Sequence, residues 1–262
     1  MIIFVKIIIF TNISMHRKLN HKFQEPDTRD YKYTPTKAVS KLASSFVINR
    51  KLNNILDQGA IGSCCSNAFA KNINMVTNNN VNISRLFHYY CGRSIGGDSS
   101  LDDTGLDIRQ AAKIIQQYGA CAEFVWPYNV DNFNILPPLI SFKQSYLFRK
   151  YTYSFISQNL VSLKTCLIST NSPIIFGIMV YSSFLSDTVS KTGVVPMPNT
   201  QTETCEGGHC VLMIGYSDAM QTFMCVNSWG SSWGNKGLFS IPYLYVTNPD
   251  LACDFCALNF IY

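Results

Sequence analysis

The 262-residue chain is predicted to be an α+β protein, with helices gathered in its first half and strands in its second. Three observations carry this expectation. Apolar residues recur at helical spacing between residues 64 and 117, and β-branched apolar runs dominate after residue 173. A composition of 47% apolar and 14% charged residues supplies a core large enough for a folded domain and excludes a disordered chain.

Residues 1–13 are almost wholly apolar but contain Lys6, and they are too short for the roughly 20 apolar residues a membrane span needs. The charge inside the run and the missing small-x-small site make a poor signal peptide. Residues 1–14 are therefore read as an apolar leader or as sequence upstream of a working start at Met15, and the protein as intracellular, with secretion the alternative. Residues 15–39 form a basic arm broken by Pro26 and Pro35. Charge is unevenly shared: residues 1–51 hold ten Lys and Arg against three acids, a net of +7, and the remainder eleven against thirteen, a net of −2. Basic residues confined to an arm argue against nucleic-acid binding, which clusters them on a folded face.

The first folded unit expected is mainly helical, over residues 40–150. Asp57-Gln58-Gly59-Ala60-Ile61-Gly62-Ser63 reads as a glycine-punctuated loop ending in an N-cap serine. A buried helix follows from about Cys64, with Cys65, Ala68, Phe69, Ile73 and Val76 on one face. Residues 84–91 and 107–117 fit two more helices, the second closed by Gly119. The second unit, residues 151–262, is mainly β. Residues 173–180, 210–216 and 222–227 read as strands, with one helix near residues 158–169. Two units of this kind leave a cleft between them.

Chemistry is expected at that cleft. A thiol is a strong nucleophile at neutral pH only where something stabilises its thiolate, such as a helix N-terminus or an imidazolium. Cys64 occupies a predicted helix start. Of the four histidines, His16 and His21 lie in the arm, and His88 sits in an aromatic-rich helix, where it reads as a core or surface residue. His209 follows Gly207 and Gly208, which leave room for a ligand backbone, and immediately precedes a predicted strand. It is the candidate base. Ten cysteines show no disulfide framework, and Cys253-Asp254-Phe255-Cys256 is a single CxxC without a second pair, so no metal is expected. Cys91, Cys121, Cys166 and Cys225 read as reduced core residues. Asp98, Asp102, Asp103 and Asp107 read as a solvated face, with a specificity surface as the alternative.

Gln58-Gly59, Gly62-Ser63-Cys64, Gly208-His209 and the run Asn227-Ser228-Trp229-Gly230-Ser231-Ser232-Trp233-Gly234-Asn235-Lys236-Gly237 together resemble the papain-family cysteine peptidases. The Gln, Cys, His, Asn order and the 145-residue gap from Cys64 to His209 match that family, whose spacing is about 130–150. Pro26-Asp27-Thr28-Arg29-Asp30-Tyr31, Trp126-Pro127-Tyr128 and Asp254-Phe255 extend the likeness to the branch found in bacteria and large DNA viruses. The resemblance implies a helical subdomain and a β-barrel-like subdomain with the active-site cleft between them. It implies Cys64 as nucleophile, His209 as general base and then acid, and Asn227 as the residue orienting the imidazole. Gln58 would serve the oxyanion, Trp229 would shield the His–Asn contact, and Trp233 would belong to the core.

Gly207, Gly208 and Cys65 are the expected substrate-binding positions, Cys65 standing where the family usually has an aromatic residue. The substrate would be a polypeptide, hydrolysed through a thioester without metal or organic cofactor. Acyl transfer or isopeptidase action by the same residues, and a non-catalytic binding protein of the same fold, are the alternatives. About 25 residues precede the nucleophile in mature family members, so residues 15–39 are expected to be a short prosegment. It would lie extended along the cleft as an intramolecular inhibitor, its basic residues met by Asp102 and Asp103.

Overall fold

The computed structural model describes residues 17–35, 41–97, 102–146 and 151–260. Residues 1–14, His16, Asp98 and the expected arm boundary near residue 39 lie outside the described residues. Strand β1 (Ser45–Val47) is followed by helices α1 (Cys64–Val76), α2 (Arg85–Ile95), α3 (Ile108–Tyr118) and α4 (Leu139–Ser145). Then come β2 (Tyr151–Phe155), α5 (Leu160–Thr170), β3 (Ile174–Tyr181) and α6 (Asp187–Thr192). The chain continues as β4 (Cys205–Ser217), β5 (Thr222–Val226), β6 (Leu238–Pro242), α7 (Tyr243–Thr247) and β7 (Ala252–Phe260). The strands form one antiparallel sheet in the order β2-β7-β3-β4-β5-β6, with β1 also paired to β4. This is the expected α+β architecture.

Helix α1 is central. Every residue from Cys64 to Met75 is buried, so the single apolar face read from the sequence understates its burial. Its polar residues are accommodated by specific bonds, as buried polar groups require. Asn67 Nδ2 donates to the Ser63 carbonyl at 3.0 Å, Asn72 Nδ2 to the Pro173 carbonyl at 3.0 Å, and Ser66 Oγ lies 2.9 Å from His88 Nδ1. Lys71 Nζ donates to the Asn54 carbonyl at 3.1 Å, and burial lowers its pKa to about 8.

Helix α2 is capped by Ser84, whose Oγ accepts from Phe87 N at 3.1 Å, and α3 by Asp107, which accepts from Gln110 N at 2.6 Å. Gly119, at φ +73°, ends α3 as expected. His88 is a core residue, its Nε2 2.8 Å from the Ala111 carbonyl oxygen.

Three features differ from the sequence reading. Ser63 precedes α1 but makes no side-chain cap. Its hydroxyl instead meets the Tyr128 hydroxyl at 2.5 Å and accepts from Asn67 Nδ2 at 3.0 Å. Strand β4 begins at Cys205, five residues before the predicted start, so His209 lies inside a strand rather than before one. Pairing of Gly207, Gly208 and His209 with Val180, Met179 and Ile178 of β3 outweighs the low strand preference of two glycines. Finally, residues 45–47 join the sheet, so the chain crosses to β4 before its helices begin.

Candidate active site

The site is assembled where the start of α1 meets β4 and the loop after β5. Cys64 is the first residue of α1, and the loop before it is tied to the far side of the cleft. Gln58 N donates to the Ser228 carbonyl at 2.9 Å, and Asp57 forms an isolated antiparallel bridge with Trp229. Gly59, at φ +64°, makes the turn between Gln58 and the helix. Asn227 follows directly after β5, with its N–H on the Gly237 carbonyl at 2.9 Å.

His209 Nε2 lies 2.8 Å from Asn227 Oδ1. The Asn227 oxygen can only accept, so the ring donates from Nε2 and presents a bare Nδ1. The same oxygen accepts from Ser228 N at 2.8 Å, which fixes the Asn227 amide. Trp229 is buried and stacks on His209 with centroids 4.9 Å apart, covering this contact from water. Nδ1 has no hydrogen-bond partner of its own, and the imidazole is close enough to the Cys64 sulfur to favour its thiolate. Contact with Cys65 and burial oppose this and hold the Cys64 thiol well above its ordinary pKa. Cys64 and His209 are thus brought together and fully buried.

Gln58 is oriented by a second contact, since Ser228 Oγ donates to its Oε1 at 2.8 Å. Its Nε2 therefore faces the other way, donating to the Ile61 carbonyl at 3.1 Å and to the Lys18 carbonyl at 3.3 Å. The second partner belongs to the arm, which crosses the cleft as an extended chain. His21 N donates to the Gly208 carbonyl at 3.0 Å, Lys22 N donates to the Leu106 carbonyl at 3.2 Å, and Asn20 forms a parallel bridge with Gly208.

The glycines make this approach possible. A Cβ on Gly207 would stand 2.5 Å from the Leu19 carbonyl oxygen, and one on Gly208 would stand 2.3 Å from that of His21. Gly105 closes the opposite wall, where a Cβ would lie 1.7 Å from the Asn20 carbonyl oxygen. The space that the sequence reading left for a ligand backbone beside His209 holds the chain's own backbone. A cavity of about 760 Å³ among Asn54, Lys71, Asn74, Arg85 and Glu123 includes none of Gln58, Cys64, His209 and Asn227 in its lining.

Charge secures the arm. Lys18 Nζ pairs with Asp103 Oδ2 at 2.8 Å, and Arg17 pairs with Asp57 and donates to the Trp229 carbonyl at 3.3 Å. Asp103 is therefore not part of a solvated face. It also accepts from Gly62 N at 2.9 Å and from the Tyr89 hydroxyl, linking the loop before Cys64 to the arm. Asp107 is an N-cap, and Asp102 is exposed and makes no ion pair with the described residues of the arm.

His21 gave no functional signal in the sequence, yet its side chain is completely buried in the cleft. Nδ1 lies 3.2 Å from both the Cys65 sulfur and the Leu106 carbonyl oxygen, and burial lowers the ring pKa to about 4. Cys65 therefore packs against the arm. Beyond His21 lie Cys253 and Asp254, whose ligand atoms fall within 4.8 Å of one another and of His21. Burial raises the Asp254 pKa to about 6. Among the described residues no helix is long and apolar enough to cross a membrane.

Residues 44–252 match the sequence profile of the papain family cysteine proteases. An uncharacterized peptidase C1-like protein of Acanthamoeba polyphaga mimivirus is 37% identical over 214 residues, covering 76% of this chain and 68% of that protein. Xylellain, a cysteine protease from Xylella fastidiosa, superposes with a TM-score of 0.86 at 32% identity, over 94% of this chain and 98% of its own. Digestive procathepsin L 3 of Tenebrio molitor larval midgut gives a TM-score of 0.66 at 20% identity, over 89% and 75%, which is a likeness of fold. With bacterial and viral relatives flanking it and the profile spanning most of its length, the chain belongs to the papain family of cysteine peptidases.

Proposed function

We propose that the protein is a self-inhibited thiol peptidase working through Cys64, His209, Asn227 and Gln58. The Cys64 sulfur attacks the scissile carbonyl carbon, and its proton resides on His209 Nδ1. The carbonyl π pair moves to oxygen, where the Gln58 Nε2–H and the Cys64 backbone N–H meet the negative charge. Each such donor contributes about 3 kcal/mol to the transition state. The C–N bond then breaks, His209 gives its proton to the leaving amine, and a thioester remains on Cys64. Water, deprotonated by His209, hydrolyses that thioester and regenerates the thiol. Asn227 holds the ring through both steps, and Trp229 keeps water from their hydrogen bond.

Residues 15–39 act as the prosegment. The observation that carries this reading is the Lys18 carbonyl oxygen at 3.3 Å from Gln58 Nε2, a peptide carbonyl presented to the donor assigned to the oxyanion. The Tenebrio neighbour is a procathepsin, which is in keeping with an inhibitory N-terminal segment here. Peptide hydrolysis by the chain after release of its arm tests the assignment. Cys64→Ala should abolish it, and a thiol-directed electrophile should label Cys64 in the arm-released native protein but not in the heat-denatured protein at neutral pH. Hydrolysis that survives Cys64→Ala, or labelling that persists after denaturation, would overturn it.

A further inference from the structure

We propose that His21, Cys253 and Asp254 form a zinc site that fastens the arm to the body of the protein. The three ligand atoms lie within 4.8 Å of one another. His21 Nε2 is 3.9 Å from Asp254 Oδ2, and the Cys253 sulfur is 3.2 Å from that same oxygen. A point equidistant from three atoms so spaced lies about 2.4 Å or less from each, against Zn–S bonds of about 2.3 Å and Zn–N or Zn–O bonds of about 2.0–2.2 Å.

The imidazole is poised as a ligand. Its Nε2 is fully buried with no hydrogen-bond partner, and 3.9 Å is too long for a bond to the Asp254 carboxylate. A buried nitrogen left so is costly unless something else satisfies it. On the other edge of the ring, Nδ1–H faces the Leu106 carbonyl oxygen at 3.2 Å, which selects the tautomer with its lone pair on Nε2. Zinc-binding histidines are oriented by this kind of carbonyl contact.

The body supplies its two ligands through a local irregularity. Neighbouring residues of a strand point to opposite faces, so Cys253 and Asp254 should not converge. Between the pairs Ile175–Cys256 and Gly177–Cys253, however, β3 advances two residues and β7 three, and Asp254 takes φ +59°. This bulge brings both side chains to one side of the strand. Gly177 opposite has no side chain, and a Cβ there would stand 2.3 Å from His21 Nε2 and 3.3 Å from the Cys253 sulfur. A thiolate, an imidazole and a carboxylate suit zinc, and Cys253 is only partly buried. Binding releases the Cys253 thiol proton to solvent.

The arm provides one ligand and the body two, so the site exists only while the arm is seated. Zinc at 100 times its dissociation constant would therefore lower the arm-released population about 100-fold. The inference rests on the arm's place in the cleft. Its test uses the full chain carrying Cys64→Ala, which removes the thiol of the Cys64–His209 pair and makes the result independent of peptidase activity.

Chelator-treated, reduced protein is titrated with Co²⁺ and then with Zn²⁺. The expected result is one equivalent of cobalt with a thiolate-to-metal charge-transfer band, displaced by zinc. Cys253→Ser should abolish the band, His21→Ala should weaken binding at least about tenfold, and Cys256→Ser should leave both unchanged. Zinc should also slow tryptic cutting of the arm in the Cys64→Ala chain but not in the Cys64→Ala/Cys253→Ser chain. No stoichiometric band, a band indifferent to Cys253→Ser, or zinc-independent cutting of the arm would overturn the site.

Discussion

The carbonyl oxygen of Lys18 accepts a hydrogen bond from Gln58 Nε2 at 3.3 Å, while the Lys18 ammonium pairs with Asp103 at 2.8 Å. One residue of the arm thus places a peptide carbonyl at the proposed oxyanion donor and is held there by charge. It follows that arm and substrate compete for one position. A chain beginning at residue 40 should hydrolyse a fluorogenic peptide faster than the full chain at equal active-site concentration. Equal rates would exclude inhibition by the arm.

Within the full chain, the ion pair offers a finer test. Lys18 is half exposed and Asp103 almost buried, so their interaction contributes about 0.5–1 kcal/mol. Lys18→Glu should raise basal hydrolysis about two- to fivefold, read from initial rates. The effect should shrink in high salt, which already screens the pair.

Gln58 depends on Ser228 for its direction, because the serine hydroxyl holds Oε1 and turns Nε2 towards the cleft. In the arm-free protein, Gln58→Ala should lower kcat about 100-fold with little change in KM, as expected for a donor used in the transition state. Ser228→Ala should act in the same direction but more weakly, since the amide keeps its contact with Ile61. A KM effect without a kcat effect would assign Gln58 to substrate binding instead.

Helices α1 to α3 were legible because their apolar spacing, caps and terminal glycine are local properties of the chain. Motif order singled out Gln58, Cys64, His209 and Asn227, residues that the fold gathers at the start of α1 and the end of β5. Other features depended on contacts distant in sequence. Ser63 fits a cap by position, yet its hydroxyl is drawn to Tyr128, 65 residues away. The early start of β4 depends on pairing to β3 and could not be read from Glu206-Gly207-Gly208 alone. His21 carries no periodic signal, and its environment is made by Leu106, Gly177 and Asp254. Asp103 was expected to meet the arm's basic residues and pairs with Lys18, whereas Asp102, expected to do the same, is exposed.

Asn227 takes two hydrogen bonds on one oxygen, from His209 Nε2 and Ser228 N, both at 2.8 Å. Asn227→Ala removes the ring's orienting partner but leaves the sulfur and the imidazole in place. Turnover of the arm-free protein should fall about tenfold to 100-fold, less than the 10²–10⁴ that general acid–base catalysis itself supplies. Alkylation of Cys64 should remain measurable. Unchanged turnover would place the orienting role elsewhere.

His88 gives the fold an acid-sensitive point independent of the cleft. It is fully buried between Ser66 Oγ and the Ala111 carbonyl, beside Phe69, and burial lowers its pKa from 6.5 to about 4. The folded protein therefore leaves this ring neutral down to about pH 4, whereas the unfolded chain protonates it near pH 6.5. Between those values the unfolded state binds more protons, so stability is complete above pH 6.5 and is lost as pH falls towards 4. From pH 7 to pH 5 the loss from this residue is about 2 kcal/mol. Urea unfolding of the Cys64→Ala protein and of its His88→Gln variant separates this contribution from those of His21 and Asp254, which titrate over the same interval. His88→Gln, though less stable at pH 7, should lose about 2 kcal/mol less over the same interval. An identical pH slope in the two proteins would mean that His88 titrates normally in the folded state.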